Sequence, residues 1–270
     1  MPQRKSLISF DRKNLGQAPG LVGIDEAGRG SFAGPVVAGA VWALRSFYAN
    51  ATPLRRSEFI NDSKQLSPSS REEIFALVEH WEKSGELLFA TGAASGGEID
   101  ELNILGATKL AMQRAIAGVL KKFETRSPAG TPCPFESAGS DAPLFKKESA
   151  LSPILIDGNP LTQFCWKHKA IVKGDATSLA IALASIVAKV SRDRLMCELS
   201  AQFPNYDFAS NKGYGTKKHV EAILRNGITP LHRITFLRKL AAEYAGKNIP
   251  GLEKFFPKCA PAPEQSEFSF

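Results

Sequence analysis

Gly23-Ile24-Asp25-Glu26-Ala27-Gly28-Arg29-Gly30 decides how the rest of this 270-residue chain is read. The apolar run that enters it, Leu21-Val22-Gly23-Ile24, is short, carries branched side chains and is bounded by glycine, as a buried strand is. It ends in two acids. Ile154-Leu155-Ile156 does the same, ending at Asp157 in L-I-D-G, and a fourth acid, Asp175, lies in V-K-G-D-A-T-S (172–178). An apolar strand that ends in an acid carries it to the edge of a sheet, where ligands bind. Acids converging there repel one another unless a cation neutralises them. A donor set made only of oxygen suits Mg2+ or Mn2+, whereas zinc prefers nitrogen and sulfur.

Composition fits that reading. With 43% hydrophobic residues the chain can bury a core as one large domain, or one domain with appendages. The formal net charge of +7 draws polyanions. A basic body around an acidic cluster suits a phosphodiester held against metal ions. Cys133, Cys165, Cys197 and Cys259 form no C-x-x-C pair and read as reduced thiols of a cytoplasmic protein. Met1-Pro2-Gln3-Arg4-Lys5 leads into no long apolar run, so no signal peptide is expected, and no stretch reaches the roughly 18 apolar residues of a membrane span.

Residues 1–19 are polar and read as a loose lead-in. Strands are expected at 21–25, at 36–44 (hairpin-paired with the first) and at 87–91. Ser67 as N-cap and Pro68 at the first position open a helix with Ile74, Leu77, Val78 and Trp81 on one face and Gly85 as its stop. A second helix spans 103–123. From 124 to 152, Pro128, Gly130, Pro132, Pro134, Gly139 and Pro143 interrupt all periodicity, as in a surface insertion. Strands at 154–157 and 170–173 follow. Asp175 then opens a helix with Leu179, Leu183, Ile186, Val187 and Val190 at helical spacing, and a last helix runs from Thr216 to a stop at Gly227. Residues 246–270, rich in Pro, Lys and Phe, read as a flexible tail, which leaves 20–245 as the folded domain. This order implies an α/β fold, a mixed sheet with helices on its faces.

Gly28-Arg29-Gly30-Ser31-Phe32-Ala33 also matches the dinucleotide fingerprint G-x-G-x-x-A. That fingerprint needs a helix to start inside the glycine loop, and here Pro35 and the strand-like 36–41 follow instead. The glycines have a better use beside a nucleic acid. They let backbone approach a sugar, where it can sense a 2′-hydroxyl, while Arg29 supplies a charge-assisted donor.

The same chain carries D-S-K-Q-L-S (62–67), D-E-L-N-I-L-G-A-T (100–108), A-S-I-V-A-K-V-S-R-D (184–193), N-K-G-Y-G-T (211–216) and L-H-R-I-T-F (231–236). Each string alone is weak. In this order, with the acid motifs between them, they closely resemble bacterial ribonuclease HII, a type 2 ribonuclease H, over roughly residues 20–237. The resemblance implies the ribonuclease H fold: a mixed five-stranded sheet flanked by helices, then a small helical C-terminal region. It implies that Asp25, Glu26, Asp157 and Asp175 are the catalytic and metal-binding carboxylates, and that Gly28, Arg29 and Gly30 sense the RNA–DNA junction. It places Tyr214 against the substrate sugar and Lys64 on the phosphate backbone. Type 3 relatives carry an extra N-terminal domain, for which about 20 lead residues leave no room.

The implied activity is endonucleolytic cleavage of the RNA strand of RNA–DNA hybrids, and incision at ribonucleotides embedded in duplex DNA, as in ribonucleotide excision repair. The expected chemistry is two-metal hydrolysis that leaves a 5′-phosphate and a 3′-hydroxyl. Asp25, ending the central strand, is the expected bridging ligand; Glu26 points the other way and binds less directly. A monomer is expected. The rivals are a junction resolvase of the same superfold and a non-catalytic binder.

Other residues have plainer expected roles. Asp193 reads as an ion-pair or helix-cap residue, and His168, His219 and His232 lack metal-ligand spacing. His232, beside Arg233, reads as structural, with a phosphate contact as the alternative. Finally, Gln265-Ser266-Glu267-Phe268-Ser269-Phe270, behind a proline-rich spacer, resembles the short peptides that dock replication sliding clamps.

Overall fold

A computed structural model describes residues 7–49, 66–136, 151–244 and 249–252. Five strands form one mixed sheet: β1 (Gly20–Ala27), β2 (Val36–Leu44), β3 (Leu87–Ala94), β4 (Ile154–Asp157) and β5 (Lys169–Ile171). Their order is β3-β2-β1-β4-β5. The expected hairpin is present: β1 runs antiparallel to β2, and β2 to β3. β1, β4 and β5 are parallel, with Ile24 opposite Ile156.

Among the described residues there are eight α-helices: α1 (Leu7–Leu15), α2 (Arg45–Ala49), α3 (Pro68–Lys83), α4 (Gly96–Arg126), α5 (Leu179–Gln202), α6 (Phe208–Asn211), α7 (Lys217–Asn226) and α8 (Arg238–Glu243). The chain divides into two compact units. The first comprises Met1–Arg29, Val36–Ala94 and Leu105–Arg192; the second comprises Gly30–Pro35, Ser95–Ile104 and Asp193–Phe270. Among the described residues no helix is long and apolar enough to cross a membrane.

The first unit is the sheet and its helices. Leu21, Val41, Ala43 and Leu155 pack with Phe47, Trp81 and the buried Leu179, Leu183, Ile186 and Val187 of α5. The register puts Asp25 opposite Gly39 and Gly23 opposite Val41, so these residues share the face that meets α5. A Cβ on Gly23 would run into the backbone of Ala180, and one on Gly39 into the carbonyl of Ala184. α5 therefore lies closer to the sheet than any side chain at those two positions permits. In the second unit Phe208, Ile223, Leu237, Leu240, Ile249 and Leu252 form a separate core.

Several boundaries differ from those expected. The lead-in contains α1, because buried Asp11 accepts a hydrogen bond from the Ala180 amide at 2.9 Å and from the Tyr48 hydroxyl at 2.9 Å. α4 begins at Gly96, seven residues early, and bends at Asn103, whose φ of 58° lies outside the helical region. It also continues to Arg126, past the expected start of the insertion at 124. The described edges of that insertion are tied to the sheet: Phe135 is buried against Trp42, and the Trp42 indole donates to Ser152 Oγ at 3.1 Å. β5 starts one residue earlier than expected and stops at Ile171. Asp175 sits in a 3-10 turn, Gly174–Ala176, and α5 starts only at Leu179. Ile249 and Leu252 are buried, so the packed body extends past 246. α3 and α7 start as read, with Ser67 accepting from the Ser70 amide and Thr216 from the His219 amide.

Candidate active site

Asp25 and Asp157 each stand one residue beyond the Ile24–Ile156 pair, where the parallel ladder between β1 and β4 stops; Asp157 ends β4, whereas β1 runs on past the expected end at Asp25 to Ala27, still paired with β2. Adjacent strands lie about 4.8 Å apart, so the register alone sets the two carboxylates side by side. Asp175 joins them through its chain neighbour: Asp157 Oδ1 accepts the Gly174 N–H, which ties the turn bearing Asp175 to the end of β4. Asp25 and Asp175 are both buried, while Glu26 and Asp157 are partly exposed.

The electrostatics follow from this crowding. Burial pushes the Asp25 carboxyl well above the usual carboxylate range, and the charge of Glu26 pushes it further. A hydrogen bond from the Ser185 hydroxyl opposes the rise, the charge of Asp157 adds to it, and the Glu26 amide opposes it again. Asp25 is thus held towards its neutral form first by burial and then by the charges of Glu26 and Asp157.

Two of the acids rest on local donors. Asp25 Oδ1 accepts the Glu26 amide at 2.7 Å, and Glu26 Oε1 pairs with Arg29 at 3.0 Å. Among the described residues no three Asp, Glu, His or Cys side chains are closed into a ligand shell. The donor set nevertheless fits a hard divalent cation. It is oxygen-only, and a cation would relieve the repulsion that raises Asp25.

The proposed sensing loop divides into two cases. Gly28 has φ of +90°, and a Cβ there would collide with the Arg192 guanidinium. Gly30 has no unusual φ, and a Cβ there would meet nothing within 4 Å. In the second unit Tyr214 is 38% exposed. Lys64 and residues 265–270 lie outside the described residues.

Position bears on two further readings. Asp193 falls inside α5, so it is not a helix cap. His232 is buried and forms a pair with His219, with their Nε2 atoms 3.2 Å apart, an arrangement that fits the structural reading. Ser185 was not foreseen as a partner of Asp25. Its signal was a hydroxyl placed among the apolar residues of α5, four positions before Lys189.

Comparison with known proteins gives the same direction. The family model for Ribonuclease HII matches residues 22–124 and 143–239. A Ribonuclease HII of Endomicrobium trichonymphae is 41% identical over 234 residues, covering 86% of this chain and 92% of that protein. Among solved structures, Bst-RNase HIII in complex with Mn2+ aligns with a TM-score of 0.60 at 16% identity, over 87% of this chain and 73% of that one. The RNase HII of the PCNA:RNase HII complex from Archaeoglobus fulgidus aligns at 0.53 and 22% identity, over 79% and 93%. At such identities these two establish the ribonuclease H fold alone. The acids at the strand ends, the five-stranded mixed sheet and a family match over most of the chain lead to one conclusion: the protein belongs to the ribonuclease HII family and is a nuclease.

Proposed function

We propose that this protein cleaves the RNA strand of RNA–DNA hybrids and incises duplex DNA at an embedded ribonucleotide, leaving a 5′-phosphate and a 3′-hydroxyl. The observation that carries the reading is Asp25, buried beside Asp157 where the parallel ladder of β1 and β4 stops, with Glu26 next in the chain and the turn that bears Asp175 tied to Asp157. A pure binder of nucleic acid gains nothing from acids gathered against phosphate, so the cluster favours catalysis. Asp25, Glu26, Asp157 and Asp175 would hold the divalent ions, Mg2+ or Mn2+. What the ions supply when bound is Lewis-acid chemistry at the attacking water and the leaving 3′-oxygen.

The chain supplies the rest. Gly30 leaves open space for a sugar edge, Arg29 can turn from Glu26 to a phosphate, and Tyr214 offers a ring face for a sugar. Lys64 is assigned to the phosphate backbone. The reaction would take place in the cytoplasm with the protein as a monomer; Cys133, Cys165 and Cys197 carry no disulfide, as a reducing compartment favours. The test is cleavage of a duplex containing one ribonucleotide against its all-DNA twin. Cutting of the first alone supports the reading. Cutting of both points to a resolvase-like nuclease, and cutting of neither to a binder.

A sliding clamp is the proposed partner, through Gln265 and the aromatic anchors Phe268 and Phe270. The archaeal relative solved as a complex with PCNA supports it, for that protein. Calorimetric titration of the host clamp should show tighter binding by the full chain than by one ending at Pro263; equal affinity removes the role.

A further inference from the structure

The Tyr214 carbonyl accepts two hydrogen bonds, one from the Thr216 amide at 2.7 Å and one from His219 Nδ1 at 2.9 Å. The other ring nitrogen of His219 lies 3.2 Å from Nε2 of His232, and Nδ1 of His232 accepts the Thr229 amide at 2.9 Å. These contacts assign the protons. A neutral imidazole carries one N–H. A carbonyl oxygen only accepts, so His219 is protonated on Nδ1 and presents a bare Nε2. An amide only donates, so His232 accepts on Nδ1 and carries its proton on Nε2. The two tautomers are therefore complementary where the rings meet, and the chain runs one way: Thr229 amide, His232, His219, Tyr214 carbonyl.

The surroundings keep both rings in this form. His219 and His232 are buried among Tyr206 and Phe208, with Phe32 against His219. Burial holds His219 below its usual pKa. Burial, and then the neighbouring His219, push His232 down to about 3. A proton added to either ring would set two N–H groups against each other in a buried place.

We propose that His219 and His232 are positioning residues that hold Tyr214 at its post through this hydrogen-bond chain. Before the tyrosine the loop is fixed by Asn211, whose Oδ1 accepts the Gly213 amide at 2.7 Å and whose carbonyl accepts the Tyr214 amide at 2.9 Å. After it, the carbonyl bonds to Thr216 and His219 complete the clamp. This rests on the reading that Tyr214 meets the substrate sugar.

The test is a double-mutant cycle on single-ribonucleotide cleavage. His219→Leu should lower kcat by up to about a hundredfold with a smaller change in KM, as expected for a misplaced contact. His219→Asn, which restores a donor at the Nδ1 position, should recover most of the rate. In a Tyr214→Ala background His219→Leu should cost little more. Additive losses, or normal cutting by His219→Leu, overturn the relay. Normal cutting by Tyr214→Ala alone overturns the tyrosine reading and leaves the relay without an output, an outcome told apart by that single variant. Nitrogen-15 spectra of histidine in the unmutated full chain need no variant to fold. They should show Nδ1–H on His219 and Nε2–H on His232, and any other pattern overturns the proposal.

Discussion

Gly28 and Gly30 stand two residues apart and answer to different constraints. Gly28 is required by the protein itself: its φ of +90° and the guanidinium of Arg192 leave no room for a Cβ. Any loss in Gly28→Ala would mix broken structure with lost recognition. Gly30 faces open space, so the protein can accept a branched side chain there and only a substrate would object. Gly30→Val should change stability by no more than about 0.5 kcal/mol. It should slow cleavage at an isolated ribonucleotide by at least about tenfold, since a misplaced reacting group costs large rate factors. Thermal unfolding and single-turnover cleavage on the same preparation check both halves, and a stable variant that cuts normally removes the sensing role from this loop.

At the scale of elements, α1 acts on α5. Asp11 accepts the amide of Ala180 in the first turn of α5, where a carboxylate meets the positive end of the helix dipole. Burial nevertheless raises its pKa from 3.8 to about 6, against hydrogen bonds from Ser178, Ala180 and Tyr48. A raised folded-state pKa means that the native protein holds this proton more tightly than the unfolded chain does. The stability it contributes is complete below pH 3.8 and is lost as pH rises through about 6. About two pKa units correspond to about 3 kcal/mol. Urea unfolding of the protein and of Asp11→Asn between pH 4 and 7.5 should show the stability of the former falling relative to the latter by up to that amount. Parallel curves would contradict it.

α1 also shows why parts of the fold were hidden in the sequence. Of α1 only Asp11 and Leu15 are fully buried; Leu7, Ile8 and Phe10 pack partly against the core, but the face is centred on an acid, and its contact with Ala180 lies 169 positions away. The start of α4 was legible in principle. Ser95 and Glu98 cap each other's amides, at 3.2 and 2.8 Å, although the Gly96-Gly97 pair between them is the composition of a loop. The strands were legible because Val36–Leu44 and Ile154–Asp157 are short apolar runs with clear ends. The acids were legible because they end such runs. Ser185 and the His219–His232 pair were not, since tertiary packing alone brings them to their partners.

For the whole molecule, charge separates holding from cutting. Thirty-four Lys and Arg against 27 Asp and Glu give a body that attracts nucleic acid, while the acids at the strand ends oppose it locally. Affinity should therefore fall with salt in proportion to the phosphates neutralised, and the slope should not depend on Asp25. Turnover should depend on it completely. The direct measurement is made on purified Asp25→Asn, free of host enzyme: cleavage of the single-ribonucleotide duplex, and hybrid binding across a salt series. Cleavage should fall at least about a thousandfold, because several kcal/mol of charge stabilisation leave with the ion. Hybrid affinity and its salt slope should match those of the unmutated protein. Turnover close to normal would contradict the assignment of this cluster as the catalytic centre.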